Sequence, residues 1–200
     1  MRIVVIGATG MIGKEVVKAL AREHEVVSVG RRSGDFQVDI ASKDSIKQLF
    51  LGIGSFDAVI CTAGTAKSGG LDELTDDDYM LGLTNKLMGQ VNLVRVGRDF
   101  VNDHGSFTLT SGVLSKEPIP GTSAISMVNA AVEAFARAAA PEMKRGIRIN
   151  AVSPVRATET LRALRLDVPG GMPAAKFVPA YKESIEGCRT GEVLDVRDFV

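Results

Sequence analysis

The chain has 200 residues, with 24 basic and 24 acidic side chains, a formal net charge of zero, 21 glycines and only two tyrosines. That is one domain's worth of chain, and a balanced charge excludes a protein built to neutralise nucleic-acid or membrane phosphates, which needs a basic surplus. Two cysteines give no disulfide framework, the opening residues lack a signal-peptide apolar core, and no apolar run approaches the ~18 residues of a membrane span, so a cytoplasmic protein is expected.

In chain order, Ile3–Ile6 is the first predicted strand, followed by Gly7-Ala-Thr-Gly10-Met-Ile-Gly13 and a helix over Met11–Arg22. Strands at Val26–Val29 and Phe36–Ile40 and a helix at Lys43–Leu51 come next. Ala58–Cys61 is a further strand, and Thr75–Val101 reads as one long helix. The remaining strands are Ser106–Thr110, Ile147–Val152 and Val193–Val196, with helices at Thr122–Lys144, Thr158–Leu164 and Ala174–Glu186. Continuous apolar strands alternating with helices predict an α/β fold: a single doubly wound domain over residues 1–200, with about seven parallel strands and helices on both faces. Val168-Pro-Gly-Gly171, followed by Pro173, reads as a mobile flap.

The glycine segment carries the strongest chemical signal. Between a strand and a helix, its glycines allow a tight turn, let a pyrophosphate touch the backbone and bring the helix close to the strand. Gly7, Thr9, Gly10, Met11, Ile12 and Gly13 are therefore candidate dinucleotide contacts. At the end of the second strand the sequence is Val29-Gly30-Arg31-Arg32-Ser33, with no acid to hold ribose hydroxyls. Arg31 and Arg32 instead offer forked donors suited to a 2′-phosphate, which selects NADP over NAD; two solvated arginines in a turn are the plain alternative.

With the glycine loop, Asp39-Ile40, Cys61-Thr-Ala-Gly64, Asn85-Lys-Leu-Met-Gly89 and Gly146-Ile-Arg-Ile-Asn150-Ala-Val-Ser-Pro154 occur in order, and the chain resembles the short-chain dehydrogenase/reductase family from Met1 to about Val196. The resemblance implies a Rossmann-like domain, Asp39 and Ile40 near adenine, Ala63 and Gly64 along the cofactor, and Pro154, Val155 and Thr158 beside the nicotinamide. It also implies a homodimer or homotetramer, paired through the helix with Asn85 and the alanine-rich helix with Ala124, Ala130, Ala131, Ala134, Ala138 and Ala139.

Catalysis is where the chain departs from the family. Aligned on Ser126-Met-Val-Asn129, the family's tyrosine position holds Ile125 and its lysine position holds Asn129. Ile125 has no proton to give, and Asn129 can bond a ribose hydroxyl but has no charge to lower a neighbour's pKa. Asn85 and Ser111 match the other two catalytic positions. Tyr79 reads as a packing aromatic, Tyr181 as a candidate substrate contact, Lys116 as a solvated lysine; His24 and His104 sit in turns, and no Cys or His cluster has metal-ligand spacing. Two functions follow: an NADP(H)-dependent oxidoreductase acting on a small carbonyl or alcohol by an altered proton path, in which Ser111 and Asn85 order a water, or a non-catalytic NADP(H)-binding sensor or regulatory module.

Overall fold

The computed structural model describes residues 1–163 and 171–200. The strands are β1 (Arg2–Ile6), β2 (Glu25–Gly30), β3 (Phe36–Gln37), β4 (Phe56–Cys61), β5 (Val101–Thr110), β6 (Arg148–Ser153) and β7 (Val193–Asp195). All pair in parallel in the order β3-β2-β1-β4-β5-β6-β7. The chain leaves β1 towards β2 on one side and later places β4 on the other, so the C-terminal ends of β1 and β4 flank a crevice where ligands of open sheets collect.

The helices are α1 (Met11–Leu20), α2 (Lys43–Ile53), α3 (Asp76–Leu81), α4 (Met88–Gly97), α5 (Ser123–Ala139), α6 (Thr158–Ala163) and α7 (Val178–Glu186). Strand alternation sorts the core into two layers. Val4 and Ile6 face α2, α4 and α5, packing with Ile46, Phe50, Leu93 and Val132. Ile3 and Val5 face α1 and α7, packing with Val16, Leu20, Tyr181 and Ile185. Both faces of the sheet are covered, as the continuous apolar strands require.

Four differences from the sequence reading have local causes. The predicted helix over Thr75–Val101 is broken: Thr75 caps α3 with a reciprocal Thr75–Asp78 capping box, Gly82–Leu87 forms a π turn, and α4 stops at Gly97. β5 then begins at Val101 rather than Ser106, with a register shift against β4 and a positive φ of 61° at His104, which lies within the strand's span. The helix expected over Thr122–Lys144 ends as α5 at Ala139 and passes into a 3-10 turn containing Pro141, which lacks the N–H a helix needs. β3 keeps only Phe36–Gln37, and Val38 N–H makes the last backbone bond to Gly30 O at 3.0 Å before the chain leaves the sheet edge. The expected flap residues Val168–Gly170 and the expected helix end at Leu164 lie outside the described residues.

Gly97 lets α4 close onto the sheet, since a Cβ there would sit 3.0 Å from the Phe107 ring and 3.1 Å from that of Phe50. Phe50, Phe56 and Phe107 are fully buried around this approach. Phe107→Ala is expected to lower unfolding free energy by about 3–5 kcal/mol in urea denaturation, the cost of a large cavity in a close-packed layer. A loss below about 1 kcal/mol would contradict this packing.

Candidate functional site

The glycine turn is built on close contacts. Gly7 has φ +85°, and a Cβ on Gly13 would lie 2.0 Å from Gly7 O, so α1 can begin where it does only because position 13 has no side chain. Gly7 and Ala8 N–H groups bond Val29 O at 2.8 and 3.1 Å, tying the turn to β2. The Thr62 hydroxyl reaches Ile6 O at 3.1 Å and Gly7 O at 3.2 Å from the end of β4. The turn is therefore clamped from both flanking strands.

Two cavities meet over these strand ends. The first, about 290 Å³, is lined by Gly7, Thr9, Gly10, Gly30, Arg31, Asp39, Ile40, Ala63, Gly64 and Asn85, among others. The second, about 390 Å³, is lined by Ile12, Lys86, Ser111, Gly112, Ile125, Asn129, Pro154 and Val155, among others. Thr62 and Gly64 line both, so the two cavities adjoin there and together make a trough from the end of β2 to the end of β6. Neither alone is large for a ligand site, which makes their continuity the informative feature.

Most of the expected cofactor residues lie in this trough. Met11, Arg32 and Thr158 do not: they line neither cavity. Met11 is exposed, with Sδ 3.2 Å from Thr160 Oγ1, Arg32 is exposed in the turn after β2, and Thr158 begins α6. Gly13 acts from beneath, through its contact with Gly7. Arg31 stands at the mouth of the first cavity, 73% exposed, 3.8 Å from the Asp39 carboxylate. A pair so exposed and so long is weak in water and leaves the guanidinium available.

Ser111 and Asn85 face different cavities. Asn85 Oδ1 accepts from Thr65 N–H at 2.8 Å, which pins the loop after β4 beside the first cavity. Ser111 lies at the second, where its hydroxyl donates to Glu133 Oε1 at 3.0 Å, with Val152 O at 3.3 Å. Each of the two side chains is thus engaged by its own partner, Asn85 by Thr65 and Ser111 by Glu133. Glu133, on α5, is a buried carboxylate that also accepts from Ser115 Oγ at 2.6 Å. Two hydroxyls thus converge on one carboxyl oxygen, as a buried polar group requires.

Asn129, beside Glu133 on α5, donates to Gly112 O at 3.4 Å. Its Oδ1 is buried without a hydrogen-bond partner among the described residues. Asn129 lines the second cavity, but this oxygen is occluded from it, so the amide is held by Gly112 rather than presented to a bound molecule.

Tyr181 is not a substrate contact. It is fully buried on α7, its hydroxyl 2.8 Å from Thr110 Oγ1, and burial raises its phenol well above the usual range. Tyr79 is half-buried and bonds Ser123 Oγ at 2.8 Å, while Lys116 is exposed. Both cysteines are free; Cys61 is buried, and desolvation raises its thiol to about 12. Glu23, His24 and Glu186 form the one metal-capable cluster among the described residues, an exposed group remote from the trough.

Sequence reasoning missed Lys86, Glu133 and Gln90. Gln90 is wholly buried and bonds the Thr110 backbone on both sides, Nε2 to O at 3.0 Å and N to Oε1 at 2.8 Å, fixing the strand end that carries Ser111. Lys86 is half-buried and donates to Ser111 O at 3.2 Å; burial lowers its ammonium to about 8. The lysine inside Asn85-Lys-Leu-Met-Gly89 was available to notice, but nothing in its neighbours signals burial.

The sequence family described as enoyl-(acyl carrier protein) reductase matches residues 2–176. Among solved structures, a protein from Listeria innocua is 43% identical, with TM-score 0.95 over 98% of this chain and 99% of that one. A small-chain dehydrogenase is 31% identical (TM-score 0.85, 98% and 95% covered), and a small-chain dehydrogenase in complex with NADPH is 30% identical (TM-score 0.87, 98% and 95%). No curated protein matches the chain.

The depressed pKa of Lys86 makes stability depend on pH. Between about 8 in the folded chain and the ordinary 10.5, the unfolded chain binds more protons, so this group's contribution to stability rises as pH climbs through that window and is lost as pH falls. Lys86→Met is expected to melt higher than the parent at pH 7, with the gap closing towards pH 10.5. Parallel melting curves across that range would contradict the burial of this amine.

Proposed function

The chain belongs to the short-chain dehydrogenase/reductase family, and we propose that it binds NADP(H) along the trough and passes hydride to or from a small carbonyl or alcohol substrate. The observation that carries this reading is the continuity of the two cavities through Thr62 and Gly64. The glycine turn stands at one side, Arg31 at one end and Ser111 at the other.

The residues present fit an extended dinucleotide. Gly7, Thr9 and Gly10 offer a side-chain-poor turn at the start of α1, where backbone N–H groups and the helix dipole favour pyrophosphate. Asp39 and Ile40 line the adenine side, with Arg31 placed for a 2′-phosphate. Ala63 and Gly64 bound the middle, and Pro154 and Val155 wall the far end. Asn129 lines the same end, where its amide would bond a ribose hydroxyl after turning from Gly112. When bound, the cofactor supplies hydride; Ser111, its position set by Glu133, lines the far end where the substrate would lie.

Ile125 and Asn129 favour a second reading, a cofactor-binding sensor or regulatory module without turnover. NADPH oxidation across α-keto esters, aryl ketones, quinones and imines separates the two. Turnover supports the reductase, while a cofactor-linked rise in Tm with no turnover supports the module. NADPH is expected to bind more tightly than NADH, and Arg31→Ala to weaken NADPH about tenfold while leaving NADH unchanged, by isothermal titration. Tighter NADH binding by the parent chain would overturn the NADP assignment.

A homodimer or homotetramer completes the proposal. Ala124 is buried within the subunit, but Met127, Ala130, Ala134 and Ala138 are exposed along α5. The π turn packs against α5, and nearby Met80, Leu81 and Met88 are also exposed. Small side chains there permit close helix approach between copies. Light scattering is expected to give an oligomer at micromolar concentration and a monomer for Ala130→Arg; a monomeric parent would refute the assembly.

A further inference from the structure

The site lacks an evident proton source, and the side chains lining the second cavity narrow the choice. Ile125 carries none, and Asn129 is an amide. The hydroxyl protons are already directed elsewhere: that of Ser111 to Glu133 or Val152 O, that of Thr110 to Cys61 O at 2.6 Å, that of Thr62 to Ile6 or Gly7 O, and that of Thr160 to Met11 Sδ. Arg156 also lines the cavity, as a guanidinium suited to binding an anion rather than to exchanging a proton. Lys86 remains.

Its stem is fixed by the backbone of the trough. A Cβ at Gly64 would lie 2.7 Å from Lys86 Cγ and 3.1 Å from its Cβ, so the lysine crosses directly over a residue shared by both cavities. The amine makes one hydrogen bond, to Ser111 O at 3.2 Å, and no ion pair among the described residues. An ammonium has three donors, which leaves two for a ligand in the cavity. Resting on the reductase reading, we propose that Lys86 is a catalytic residue, the general acid that protonates the oxygen of a carbonyl substrate bound in the second cavity.

When bound, NADPH supplies to the carbonyl carbon a hydride, one proton with two electrons. As the C=O π pair moves onto oxygen, an N–H bond of Lys86 breaks and the O–H bond of the alcohol forms. The neutral amine then regains a proton from water. The desolvated ammonium, near 8, is better matched to this transfer than an ordinary lysine. The titratable and charged groups around it are Cys61 at the end of β4, protonated up to about 12, Glu133 on α5 behind Ser111, and Arg156 after β6.

The test uses the full chain, NADPH and ethyl benzoylformate, with Lys86→Met and Lys86→Arg. Lys86→Met is expected to lower kcat by about 10²- to 10⁴-fold, with the NADPH Kd changed less than about threefold. Lys86→Arg keeps the charge but cannot release a proton, so it should stay as slow as Lys86→Met. Parent kcat should fall above about pH 8, and both variants should lose that limb. Independently of turnover, ¹³C NMR of lysine labelled at the ε-carbon should show one amine titrating near 8, absent from Lys86→Met. Recovery of the rate in Lys86→Arg, a kcat within about threefold of parent in Lys86→Met, or no amine titrating near 8 overturns the assignment. A parent chain that binds NADPH but turns over neither this ester nor the wider panel sinks the reductase reading itself, and the lysine's role with it.

Discussion

The whole site depends on how closely α1 meets the turn that precedes it. With Gly7 O where a Cβ on residue 13 would need to be, the helix starts at once and points its free N–H groups back over the ends of the central strands. β1 is central, paired with both β2 and β4, so its C-terminal end is fixed on both sides. The Thr62 hydroxyl and the bonds to Val29 O carry that rigidity into the turn. The crevice between β1 and β4 is thus a consequence of sheet order, and the glycines determine that backbone rather than side chains borders it.

The π turn at Gly82–Leu87 organises the other half. A regular helix would place consecutive residues about 100° apart and keep a smooth apolar face against the sheet. Widening one turn re-phases the helix, so that Asn85 is spent on Thr65 N–H at the first cavity and Lys86 reaches into the second. Two adjacent polar side chains serve two sides of one trough.

The sequence made the sheet legible because β-branched runs of strand length recur between periodic segments, and made the cofactor side legible because Gly7, Gly10 and Gly13 fall between a strand and a helix. Those signals are local. The π turn was not legible: Gly82, Thr84 and Asn85 weaken helix propensity, but no proline or stop signal marks a widened turn, and the run reads as one continuous helix. Lys86 and Glu133 were hidden for a related reason. A lysine or glutamate on a helix reads as solvated until the partner across space is known. For Lys86 that partner is Ser111 O, 25 positions away; for Glu133 it is the Ser111 hydroxyl, 22 positions away.

Ser111 is the point at which these long-range contacts converge. Its N–H bonds Val152 O at 2.9 Å, its hydroxyl is drawn to the Glu133 carboxylate, and its carbonyl oxygen accepts from Lys86. The residue is therefore held by β6, by α5 and by the π turn at once, while Gln90 fixes the Thr110 backbone immediately before it. A network of this kind is costly when half satisfied and rigid when complete. Among the described residues the unmatched buried side-chain atom is Asn129 Oδ1. Asn129 and Glu133 stand on α5, while Lys86 enters from the π turn, so the amide and the amine lining the second cavity come from different helices and are fixed independently of each other.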